Sequence, residues 1–255
     1  MDATLNNRAS PKSVFQPTHP ADRAVYLAII ALTLFGLVGG FSLDIIDHLN
    51  SVSPPYPFVI YIHVVASVAW LALFTAQLLL VRGKRVGMHK RLGIAGFVLV
   101  PILVPLNLLA SWVFNRGQLA MPTANPQFVC VEIAEVAVFA VLVGSGLWLR
   151  KRDTAAHKRL LLLSMAFLSM PGFARLLSLT IGHPFGHGFW PDMLHFYLIP
   201  NLMVLSLGVL DWRIRNRLHP AYVVGCGWIL FNEVVGLALL KSPVWKDIAI
   251  KILNI

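Results

Sequence analysis

His63, Glu132, Glu135, Arg175 and His195 are ionisable side chains set inside long apolar runs. Such groups are costly in a bilayer and usually face a bundle interior. Histidine and glutamate are ligand types that zinc and iron accept, so His63, Glu132, Glu135 and His195 can be read as a metal layer. Two histidines from facing helices, His63 and His195, can instead hold a haem axially, with Arg175 meeting a propionate. The same residues support two other chemistries. Carboxyls at Glu132, Glu135 and Glu233 can bind protons or solute between helices. A His–Glu–His set can also activate water on a metal for hydrolysis. Beside these stands a purely structural reading, with the histidines as interfacial polar residues and Glu132 paired to Arg175.

Spacing narrows the geometry. His63, Trp70 and Gln77 are seven residues apart, so they form one helical stripe that drifts only about 20° per heptad. Glu132 and Glu135 are three apart and share a face. A four-residue word then organises the chain: His89-Lys90-Arg91-Leu92 recurs as His157-Lys158-Arg159-Leu160, each copy beginning a long apolar run. A weaker third copy has Asp211-Trp212-Arg213-Ile214-Arg215 as its basic loop and His219-Pro220 after it. Counting back from these histidines, His63 lies 26 residues before His89, Glu132 and Glu135 lie 25 and 22 before His157, and His195 lies 24 before His219. At about 1.5 Å per residue these offsets differ by roughly 6 Å. The spacing therefore predicts one layer near the outer surface, which Arg175 joins, and an inner layer of His89, His157 and His219.

For the inner histidines two roles stand open. A His beside Lys-Arg at a helix start anchors the helix at the headgroups. The helix dipole and adjacent cations also favour the neutral imidazole that ligation needs. His183 and His187 are four apart, but Pro184 and Gly186 between them argue against a helical pair.

The elements that must carry these side chains are membrane helices. The chain of 255 residues is 57% hydrophobic and 13% charged, with mean hydropathy +0.73. It offers about seven runs of the roughly 20 apolar residues that span a bilayer. The net charge is +10, yet 13 of the 21 Lys and Arg lie in 82–91, 150–159 and 213–217, while 43–57 and 182–192 hold none. That asymmetry places the basic loops in the cytoplasm and assigns the charge to topology rather than to a nucleic acid. The reading is an all-α membrane protein of about seven helices, with its amino terminus cytoplasmic. A disordered tail is expected over 1–23 and a transmembrane domain over 24–240. Its helices fall at 24–42, 58–81, 89–113, 128–149, 157–181, 193–211 and 221–240. Helix 1 precedes three repeated hairpins, and 241–255 forms an interfacial segment. Gly39-Gly40 and then Pro54-Pro55 are read as ending helix 1, and Pro171-Gly172 as breaking helix 5. Cys130 and Cys226 sit in different runs and imply no disulfide. No phosphate-binding loop, nucleophile elbow or His-Glu-x-x-His occurs.

The run His63…Trp70…Gln77, His89-Lys-Arg-Leu-Gly93, His157-Lys-Arg-Leu and a final His219-Pro220 resembles a widespread group of uncharacterised bacterial inner-membrane proteins, over residues 58–222. Paired histidines at both faces of a helical bundle look, at the level of fold, like cytochrome b561-type two-haem proteins. The resemblance to the bacterial group implies a bacterial inner-membrane location. The leading expectation from the residues themselves is haem b, or a divalent metal ion, held by His63 and His195, with Arg175, His89 and His157 as further cofactor contacts. The function expected is electron transfer with a membrane quinone or a redox partner. A proton-coupled transporter or channel subunit and a membrane-embedded hydrolase are the alternatives.

Overall fold

The computed structural model describes residues 15–51, 55–121 and 124–254. Among them no strand occurs, and the chain runs through α1 (Asp22–Asn50), α2 (Phe58–Arg82), α3 (Val86–Leu92) and α4 (Ile94–Gln118). A single 3-10 turn (Pro126–Phe128) leads into α5 (Val129–Leu149), followed by α6 (Thr154–Leu168) and α7 (Met170–Ile181). Last come α8 (Phe189–Arg215), α9 (Pro220–Leu240) and α10 (Pro243–Leu253). Joining α3 to α4, the 3-10 turn to α5, and α6 to α7 leaves seven segments long and apolar enough to cross a membrane. The all-α fold class and the seven-helix architecture are as the composition predicts.

The α6–α7 segment is the centre of the bundle, packed on by α1, α5, α8 and α9. Its sequence explains this: Leu162 through Phe167 are buried without a break, and a helix apolar all round belongs inside. The segment breaks at Ser169, ahead of Pro171, whose ring cannot extend a regular helix from the preceding turn. The α2–α4 pair is peripheral. It joins the centre through α5, where Trp70 meets Phe139 edge to face at 5.3 Å.

Two boundaries differ from expectation. Helix α1 does not stop at Gly39-Gly40 but continues through Asp44, Asp47 and His48 to Asn50. The glycines serve a different purpose there. A methyl group built on Gly40 would stand 2.0 Å from the Gly172 carbonyl oxygen, and one on Gly172 would stand 2.5 Å from the Gly36 carbonyl. Gly36 and Gly40, one turn apart, thus let α1 and α7 touch backbone to backbone, the small-residue packing common between membrane helices. Helix α8 likewise begins at Phe189, inside the stretch read as a loop, because Pro191 falls in its first turn where no amide donor is needed. Pro54 and Pro122 lie outside the described residues.

The basic ends of the helices are joined by an ion chain. Arg159 meets Asp211 through two bonds of 2.5 and 2.6 Å, Arg215 bonds Asp211 at 3.0 Å, and Arg215 reaches Asp22 at 2.7 Å. This ties α6, α8 and α1 together. Of the stretch read as a disordered tail, residues 1–14 lie outside the described residues, and 15–21 are held against this end. The Phe15 ring lies under the guanidinium groups of Arg159, Arg215 and Arg217, at 4.4–5.4 Å. His219 meets it edge on at 4.8 Å. Lys158 donates to the Pro17 carbonyl and Arg215 to that of Gln16.

His219 caps α9: its Nδ1 accepts from the Ala221 amide at 3.1 Å, and Nε2 faces Asp153 at 3.3 Å. Burial holds its pKa below the ordinary histidine value, against the opposing pull of Asp153. A depressed histidine pKa favours the neutral ring in the fold. The contribution is complete above the unfolded value of about 6.5 and declines as pH falls through it. Thermal midpoints in detergent between about pH 7.5 and 5.5 should therefore fall more steeply for the native chain than for His219→Asn, which keeps a cap but cannot titrate. Equal slopes would contradict this.

Candidate functional site

The register of α2 against α5 places the polar layer. Both helices run in the same direction, and the offset that carries Trp70 to Phe139 also carries His63 to Glu132 and Gln77 to Gly146. Glu132 is fixed from α4, where Ser111 Oγ and Asn115 Nδ2 both donate to it, the latter at 2.6 Å. On the other side of α5, Trp228 of α9 donates to the Ala137 carbonyl and Cys130 lies on the Gly236 carbonyl. Antiparallel α9 therefore brings Glu233 to the same level. Asn201 Nδ2 of α8 donates to Glu233 Oε2 at 3.0 Å. Tyr197, one turn before Asn201, is an electrostatic neighbour of both Glu135 and Glu233. Arg175 neighbours Glu132 and Glu135, and its guanidinium also meets Asp44 at 3.5 Å and lies over Phe41. The predicted structural pair of Glu132 with Arg175 is thus shared: Arg175 has Asp44 as its ion-pair partner.

His195 is 2% exposed. Its Nε2 shares a 2.9 Å hydrogen bond with Ser178 Oγ, and its Nδ1 is buried without a partner. His63 also keeps a buried, unpartnered Nδ1. These two histidines stand on helices that each pack on α1 and not along one another. Among the described residues no three His, Cys, Asp or Glu side chains converge to hold a metal ion. The four residues read as a metal layer therefore do not meet at one point, and His195, six residues before Asn201 on α8, lies nearer the end away from the basic loops than Glu132.

The stripe of α2 carries more unpartnered groups than any other element. Besides His63 Nδ1, Trp70 Nε1 and both amide atoms of Gln77 are buried without partners there, and on α3 so is Nδ1 of His89. At the basic end the two repeated histidines are electrostatic neighbours. His157 Nδ1 rests on the Gly146 carbonyl at 2.8 Å. With the proton on Nδ1, that contact fixes the ring and leaves Nε2 free, the disposition that orients histidine ligands.

One grouping was not legible from spacing. His183 stacks near His195, with ring centroids 4.4 Å apart, and near His187 at 4.8 Å. No helix does this. The connection turns at Gly182, Gly186 and Gly188, all with positive φ, and folds both histidines back over the start of α8. There they line a cavity of about 470 Å³ with Asn125, Gln127, Asp192 and Lys241. Lys241 and Asp192 form an ion pair across it. Glycine at those positions is the available signal, since the left-handed region is open to it without strain.

No protein-family model, curated protein or solved structure matches the chain.

Proposed function

We propose that this chain is a multi-pass protein of a bacterial inner membrane that holds haem b or a divalent metal ion in the half of the bundle away from the basic loops. His63 and His195 are its ligands, and Arg175, Glu132 and Glu135 surround it. Its work is electron transfer with a membrane quinone or a redox partner protein. The observation that supports this reading is the pair of buried, unpartnered ring nitrogens on His63 and His195. A buried polar atom left unsatisfied costs about 1–3 kcal/mol, and a metal bond would remove that penalty. His157, with its ring fixed by the Gly146 carbonyl, and His89 beside it offer a second position at the cytoplasmic end.

The test is cofactor content. Protein purified from cells grown with iron and haem precursor should carry bound haem or metal. His63→Ala and His195→Ala should each lose it, while keeping the helix content of the native chain. Full retention in both variants would overturn the ligand assignment. A second reading, a proton-coupled transporter or channel subunit, is favoured by the three carboxyls in the same layer. It predicts gradient-driven uptake or efflux in proteoliposomes.

A further inference from the structure

Glu233 is 0% exposed, and among the described residues its only hydrogen-bond donor is Asn201, on Oε2. Its other oxygen, Oε1, is buried with no partner. Glu135, only partly buried, lines a small, partly open cavity of about 10 Å³ with Ser164, Phe139, Phe167, Leu168 and Pro171, the room of about one water. Phe167 stacks on Tyr197, at 6.1 Å and 11°.

Charge counting decides their state. Three carboxyls, Glu132, Glu135 and Glu233, occupy this layer of the described residues, and the cation beside them is Arg175. That guanidinium is already committed to Asp44. The other groups facing Glu135 and Glu233 are neutral: Tyr197 from α8, Cys130 from α5, Cys226 from α9, and Ser111 and Asn115 beside Glu132. His63 stands at the same level, but on α2, which does not pack along α9. Three carboxylates, Glu233 fully buried and Glu132 and Glu135 partly so, against one shared cation leave an uncompensated negative charge in a low-dielectric interior, which groups avoid by taking up protons. Glu132 has two donors to support its charge, whereas Glu135 and Glu233 have a water-sized cavity and one amide.

We propose that Glu233, fully buried with one carboxyl oxygen unpartnered and the other held by Asn201, is a proton-binding site in the half of the bundle away from the basic loops. The site stands whether or not a cofactor is present. It gives the chain a place to hold a proton inside the bundle.

Dicyclohexylcarbodiimide tests this, because it partitions into bilayers and reacts with a protonated carboxyl in an apolar setting. The full chain in phosphatidylcholine vesicles would be treated at about pH 7 and mapped by peptide mass spectrometry. The expected result is a stable adduct on Glu233 and none on the exposed Asp47 and Asp247. Adduct yield should fall about tenfold per pH unit once the site titrates, and Glu233→Gln should remove the adduct. No adduct on Glu233 of the native chain would overturn the proposal. Loss of labelling on adding sodium at constant pH would also overturn it, by making sodium the occupant.

Discussion

Asp211→Ala is expected to lower the stability of the folded chain by about 3–5 kcal/mol, the usual consequence of removing one partner of a buried ion pair. The side chains of Arg159, Asp211 and Arg215 are each 2–4% exposed. Loss of the carboxylate leaves the Arg159 guanidinium with the Ala155 carbonyl, a neutral acceptor, and the Phe15 ring, and no anion of its own. Arg215 keeps Asp22. The pair also fixes the start of the polar layer from below, because α8 carries Asp211 at one end and Asn201, Tyr197 and His195 further along. Arg159→Met combined with Asp211→Leu should be milder than either single change, since apolar replacement of a whole buried pair is often neutral or stabilising. Thermal midpoints in one detergent, for the two single variants and the double, measure this. A single variant within about 0.5 kcal/mol of the native chain would place the pair among ordinary surface contacts.

Gly172→Val should be nearly as damaging, for a steric reason. A methyl group at Gly172 already falls 2.5 Å from the Gly36 carbonyl and 2.6 Å from the Leu37 Cα. Backbone atoms on both sides leave no flexible side chain to move aside. Overpacking of a close-packed interior costs about 1–3 kcal/mol, and here α1 and α7 must separate along their shared seam. The displacement should reach Arg175 and Ser178, one and two turns further along α7. Gly144→Ala is the control, since nothing stands within 4 Å of a methyl group there. It should be neutral or slightly stabilising, by the helix preference of alanine over glycine. If both substitutions behave alike in a thermal melt, the backbone contact is not a determinant of stability.

The sequence carried the architecture because bilayer helices announce themselves by length and hydropathy, and the basic loops by their spacing. Counting residues back from His89, His157 and His219 measures height along helices, and the Trp70–Phe139 contact carries His63 to the level of Glu132. Which residues meet there was not legible, because that depends on helix neighbours. His195 lies nearer the end away from the basic loops, level with Phe196 and Phe128 rather than with Glu132, and its helix does not pack along that of His63. The reach of α1 past Gly40 was hidden as well. Gly39-Gly40 looks like a stop when read along one chain, and only the approach of Gly172 shows why small residues stand there. Phe15 gave no signal at all. A lone aromatic in a proline-rich polar stretch acquires meaning from three arginines that are distant in sequence.

The most direct test of the functional proposal is a visible spectrum of the detergent-purified native chain, first air-oxidised and then reduced with dithionite, alongside its bound-metal content. The proposal predicts a Soret band with sharp α bands on reduction, or stoichiometric bound metal if a divalent ion takes the place of haem. A featureless spectrum together with metal-free protein would contradict it and move the proton-coupled reading to the front.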